Sequence, residues 1–145
     1  MSTSTFTSDE LAAWLNATLE SERAGARALL EYLGEYDRKS EGWGVLRKVQ
    51  ADEAHNCALI GGELKRLGAA YSHADGEFLA KALAVEGRKA RLAFLARGLG
   101  WAVREYERAL PRIGDAKVRA LVERMRDSHR SSMAACAALA AKLPD

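Results

Sequence analysis

Along this 145-residue chain apolar side chains recur at alternating steps of three and four, and three of the resulting seams are interrupted near mid-line by one ionisable residue. Steps of three and four place residues on one face of an α-helix, so each seam predicts a helix with one buried stripe. The first seam reads Leu15, Leu19, Glu22, Ala26, Leu29, Leu33. The second reads Leu46, Val49, Glu53, Asn56/Cys57, Ile60, Leu64, Leu67. The third reads Phe78, Ala82, Val85, Lys89, Leu92, Ala96, Leu99, Val103, Tyr106, Leu110. The fourth reads Val118, Val122, Met125, His129, Ser132, Cys136, Leu139, Leu143. Stripes of this kind are stable only when turned toward each other.

The breaks between seams carry helix punctuation. Thr7-x-x-Glu10 is a capping box leading into Leu11. Residues 37–40 form a turn, Gly68 suits a left-handed C-cap, Asp75 is placed to cap the third helix, and Pro111 ends it. Gly114-Asp115 opens the fourth helix, which stops before Pro144. The predicted helices cover about residues 8–36, 41–68, 76–110 and 115–142. Short connections predict an all-α, antiparallel up-down-up-down four-helix bundle, one domain over residues 1–145. A composition 48% apolar and 29% charged, with 12 Gly and 2 Pro, excludes collagenous, disordered and β-rich chains. The longest apolar run, residues 133–141, is far shorter than the roughly 18 residues a bilayer span needs. The first ten residues have no basic or apolar leader pattern, and Cys57 and Cys136 sit inside helices as free thiols would. A cytoplasmic protein is therefore expected.

The three interrupting residues fall at one height. Glu22 lies 16 residues before the turn near position 38, Glu53 15 after it, and His129 17 after the turn near position 112. At about 1.5 Å per residue these levels agree within a few ångströms. A carboxylate buried alone costs several kcal/mol, roughly, so such groups are paired, protonated or bound to a metal.

Glutamates and a histidine converging in mid-bundle resemble the ferritin-like superfamily. Its di-iron members carry a Glu on each of two helices and Glu-x-x-His on the other two. The resemblance implies iron or manganese, held by hard carboxylate oxygens and an imidazole nitrogen, and oxidoreductase chemistry. Carried over residue by residue, Glu22 matches the lone Glu of the first helix. Glu53-Ala54-His55-Asn56 matches the second-helix motif with Asn56 in the place of His. The third helix has Leu92 and Ala96 at that height and no carboxylate. Arg126-Asp127-Ser128-His129 keeps the His but has Arg126 for Glu. What this leaves is Glu22, Glu53 and His129, with Asn56 in support, enough for a mononuclear site or for a remnant of a larger one. A second frame, Asp52-x-x-His55, lies on the flank of the seam. The chain is also similar to a bacterial family of uncharacterised ferritin-like bundles. The likeness rests on Glu22-Arg23-Ala24-Gly25-Ala26, Asp52-Glu53-Ala54 with Cys57, Arg91-Leu92-Ala93-Phe94-Leu95, Arg97-Gly98-Leu99-Gly100-Trp101 and Ala109-Leu110-Pro111. No activity comes with that likeness.

Two other functions remain open on the sequence. Glu22, Glu53 and His129, completed by Lys89, would also make a non-catalytic polar cluster that fixes helix register. Residues 1–75 carry 8 basic and 12 acidic side chains, residues 76–145 carry 14 and 8, so Arg88, Arg91, Arg97, Arg104 and Arg108 could form an anion or nucleic-acid patch. Glu105, Glu107, Glu123 and Asp127 interleave that patch and argue against a nucleic-acid partner. Gly98 and Gly100 inside a helical pattern predict close approach of a neighbouring helix or a local bend. A second apolar line on helix 3, Leu79, Leu83, Ala90, Phe94 and Trp101, predicts a homodimer or larger homo-oligomer packed through that helix.

Overall fold

The computed structural model describes residues 4–144; residues 1–3 and 145 lie outside it. Among the described residues the elements are five α-helices and a 3-10 turn, with no strand. Helix α1 (Ser8–Leu33) opens on the expected capping box. The Thr7 hydroxyl accepts from the Glu10 amide at 3.1 Å, and the Glu10 carboxylate accepts from the Thr7 amide at 2.9 Å. Helix α2 (Glu41–Arg66) is capped by the Ser40 hydroxyl. It closes through Gly68, at φ 73°, where the Ala69 amide donates back to the Leu64 carbonyl at 2.9 Å.

The third predicted helix is two helices that run in opposite directions. Helix α3 (Phe78–Ala84) stops at Val85, which is extended, and helix α4 (Arg88–Ala109) starts after Gly87, at φ 93°. That left-handed value is open to glycine and strained for other residues. Arg91 clamps the reversal, its Nε donating to the Val85 carbonyl at 2.6 Å. Phe78 then stacks on Phe94, ring centroids 5.2 Å apart, and a Cβ on Gly98 would touch the Phe78 ring at 3.0 Å. The close approach expected at Gly98 is thus made by α3. Asp75 does not cap α3 but pairs with Arg27 at 2.5 Å.

This break changes the topology from up-down-up-down. Residues 67–77 run alongside α1 rather than turning directly into a helix. Asn16 brackets them, donating to the Ala70 carbonyl (3.1 Å) and accepting from the Ser72 amide (2.7 Å). Arg23 holds the carbonyls of Ser72 and Ala74, and the Tyr32 hydroxyl donates to the Ala82 carbonyl at 2.8 Å. The chain has by then returned to the C-terminal end of α1, where Arg91 pairs with Glu35 at 3.0 Å. Helix α4 therefore descends in the same sense as α2. A 3-10 turn (Leu110–Arg112) with Pro111 ends it beside Phe6. Helix α5 (Ala116–Ala141), capped by Asp115, then rises parallel to α1. The long helices run up, down, down, up.

Helix α1 packs on α2, α4 on α5, and α2 on α5, with α3 laid against α1. The apolar core is two clusters. One joins Leu15, Leu19, Ile60, Leu64, Val118 and Met125; the other joins Leu29, Tyr32, Leu46, Leu92, Leu99 and Cys136. Between them lies a layer of buried polar groups: Glu22, Glu53, Asn56, His129 and Ser132. On the outer line of α4, Phe94 is covered by Phe78, whereas Leu83 on α3 and Trp101 on α4 stay 40% and 51% exposed. No helix among the described residues is long and apolar enough to cross a membrane.

Candidate metal centre

Helices α1, α2 and α5 each turn one seam position into the polar layer, and the three side chains meet. Glu22, Glu53 and His129 are 3%, 4% and 2% exposed, and each offers a ligand atom within 4.8 Å of the others. His129 Nε2 lies 3.2 Å from Glu22 Oε1. The same oxygen accepts from Asn56 Nδ2 at 2.9 Å and from the Tyr106 hydroxyl at 3.2 Å. Asn56, placed where the superfamily motif has His, thus holds Glu22 rather than turning an imidazole inward.

Glu53 is held differently. Its Oε2 is buried and has no hydrogen-bond partner among the described residues. The carboxylate occupies a recess left by Gly25 on α1. A Cβ there would overlap Oε2 and approach Glu53 Cδ to 2.9 Å. Burial first, then the Glu22 charge and the Asp52 charge, push the Glu53 pKa well above the usual carboxylate value. Burial also pushes Tyr106 well up, followed by the charges of Glu22 and Glu53, which keeps its phenol protonated as a donor.

The raised Glu53 value has a sign for stability. The folded chain keeps a proton that the unfolded chain releases near the ordinary value, so this contribution is present at low pH and lost as pH rises through the raised pKa. In metal-free protein the urea midpoint should fall from pH 5 to pH 8, with a limiting slope of about 1.4 kcal/mol per pH unit for one proton. Glu53→Gln should flatten that fall.

Other sequence candidates stand elsewhere. Asp52 is tied to Lys48 at 2.8 Å on the outer face and His55 is exposed, so the Asp52/His55 frame does not converge on the cluster. Lys89 does not complete it either; its Nζ reaches toward the Leu143 carbonyl at 3.4 Å. Burial pushes the thiols of Cys57 and Cys136 up to about 11, and the converging ligand group contains neither. Arg88, Arg91 and Arg97 lie over the rings of Tyr36, Tyr32 and Phe94, and Arg108 pairs with Glu105.

The α4 side of the site differs from expectation. Leu95, Gly98, Leu99 and Ala102 line it, rather than Leu92 and Ala96. The three residues of the 3-10 turn, rising about 2.0 Å each rather than about 1.5 Å, move the level of His129 later along α4 by roughly one residue. In place of a carboxylate there is a cavity of about 370 Å³ that opens between α1, α3 and α4. Tyr106 was legible only as an apolar-seam residue; a phenol on such a seam, needing a buried acceptor, was the available signal.

A family model described as a domain of unknown function, DUF6306, matches residues 9–139. The chain belongs to the DUF6306 family. That match contains every residue of the polar layer, and the family description carries no activity. No curated protein matches the chain, and no solved structure matches it.

Proposed function

We propose that this DUF6306 chain is a ferritin-like metalloprotein that holds one iron or manganese ion between Glu22, Glu53 and His129, with Asn56 fixing Glu22. The observation that carries the reading is Glu53 Oε2, an unpaired buried oxygen in a recess that any side chain on Gly25 would fill. A cluster serving register alone would gain most by pairing every buried oxygen. Here one carboxylate oxygen, the one set against Gly25, is buried without a hydrogen bond beside two other ligand groups, and a cation would satisfy that carboxylate. The donor set, two carboxylates and an imidazole, suits iron or manganese. Helices running up, down, down, up, with one long crossover between two hairpins, support the ferritin-like reading. The apolar α4 wall and Arg126, which pairs with Asp127, support one ion rather than two.

Bound there, the metal would supply Lewis acidity and one-electron chemistry, so the reading extends to an oxidoreductase. The chain's own part is definable. Tyr106 directs a proton at Glu22, Asn56 fixes the carboxylate plane, and the two apolar clusters keep bulk water off both ends of the layer. Elemental analysis of protein purified without a histidine tag should find about one iron or manganese per chain, at the stoichiometry of a three-ligand site. Glu53→Gln and His129→Ala should lose it while remaining helical. Folded wild-type protein that takes up neither metal would remove the proposal and leave the register cluster.

A further inference from the structure

We infer that the cavity between α1, α3 and α4 is a binding site for an uncharged, mainly apolar organic molecule of one or two rings. That this molecule is the substrate of the metal centre rests on the reading above; that it binds does not. The cavity, about 370 Å³, falls within the roughly 300–1,000 Å³ typical of small-molecule sites. Its inner end is Glu22, Glu53 and His129, and its walls include Leu95, Leu99, Ala102, Phe78 and Trp101. Such sites are mostly apolar, with a few convergent polar groups at one end.

The fold builds this space deliberately enough to be read. Chain reversal after Ala84 brings α3 back over α4, and Phe78 rests on Gly98 and Phe94. Helix α3 thereby roofs the gap beside the polar layer instead of filling it. Phe78 at the roof and Trp101 at the side offer aromatic surface to a flat guest.

Charge selects against ions. Glu77, at the N-cap of α3, and Lys81, one turn into it, have opposite signs, so the rim favours neither sign. In the metal-free protein the Glu22 carboxylate at the inner end opposes an anion. A cation would have to leave water for leucine, phenylalanine and tryptophan walls before reaching them. An uncharged ring loses nothing at the rim and gains burial along the walls. Free metal ions as cargo meet the same obstacle, because the walls offer them no carboxylate path.

Indole is a suitable probe, with indole-3-carboxylate and tryptamine as its anionic and cationic counterparts. Calorimetric titration should show saturable one-to-one binding of indole to both metal-free and manganese-loaded protein. To the metal-free protein the two ions should bind at least about tenfold more weakly than indole, a difference of about 1.4 kcal/mol. Ala102→Phe, which fills the cavity, and Ser21→Trp, which obstructs its rim, should each abolish indole binding. If Ala102→Phe fails to fold, Ser21→Trp decides. Absence of saturable indole binding to either form, equal affinity for either ion, or binding unchanged in the folded blocked variants would overturn the inference. Indole binding by protein that takes up no metal would keep this inference and remove the metal reading; the reverse pattern would remove this inference alone.

Discussion

Gly25→Ala should sharply weaken metal binding while leaving a helical protein. The added methyl would stand where the Glu53 carboxylate now lies, 2.9 Å from its Cδ. Helix α1 is pinned against α2 along both core clusters, so the carboxylate must yield by rotating out of the cluster. Affinity for iron or manganese should fall by about 100-fold or more, at the upper end of what displaced metal-site groups cost. Overpacking of this kind costs about 1–3 kcal/mol, and the better helix propensity of Ala returns up to about 1 kcal/mol. Thermal stability should therefore drop only modestly. Gly62→Ala, near the C-terminal end of α2 with open space around its Cβ, is the matched control and should be neutral or stabilising, with metal content unchanged. Metal competition titrations and thermal melts check both variants. Full metal affinity in Gly25→Ala would show that Glu53 is not a ligand.

Glu22→Ala should produce the largest loss of stability of any single substitution in the polar layer. Glu22 Oε1 is the acceptor for Asn56 and Tyr106 and the neighbour of His129, all of them buried. Removing it strands two donors and an imidazole in a dry layer. Breaking a buried charged group's contacts from one side costs about 3–5 kcal/mol. For a chain of this length that corresponds to a melting temperature lower by on the order of 10 °C. Glu22→Gln separates scaffold from ligation, because its amide oxygen can still accept from Asn56 and Tyr106. It also removes the charge that raises Glu53. The Gln variant should keep most of the stability and lose metal. A Gln variant with normal metal content would place the ion elsewhere, and an Ala variant as stable as wild type would contradict the geometry of the layer.

The helices and three of the polar-layer residues were legible because burial leaves a periodic trace. Glu22, Glu53 and His129 stood out as ionisable residues on apolar seams; the turns near 38 and 112 lie at opposite ends of the bundle, and the counted heights agree because all three residues sit near the middle of helices of 26 residues. The chain reversal at residues 85–87 left no such trace. Apolar spacing runs through it without a phase change, and Gly87 alone marks the break, as one glycine among several in helical patterns. With that reversal hidden, the connection after Gly68 read as short, and the direction of α4 came out inverted. Gly25 was hidden for another reason. Its importance lies in the space it leaves for a side chain of a different helix, and local sequence carries no record of a partner's shape. Tyr106 lay on a seam, but the acceptor that gives its hydroxyl meaning belongs to α1.

The arrangement of the hairpins has a consequence for assembly. α1 with α2 supplies both acids and the amide, whereas α4 with α5 supplies the imidazole and the phenol. Each antiparallel pair is rich in local contacts and can form early, and their docking is the slower, non-local event. Docking displaced by one helical turn, about 5.4 Å, would leave Glu22 facing leucines and Tyr106 without an acceptor. The hydrophilic stratum thus acts as a proofreading step for the union of two halves whose greasy surfaces would tolerate several alignments.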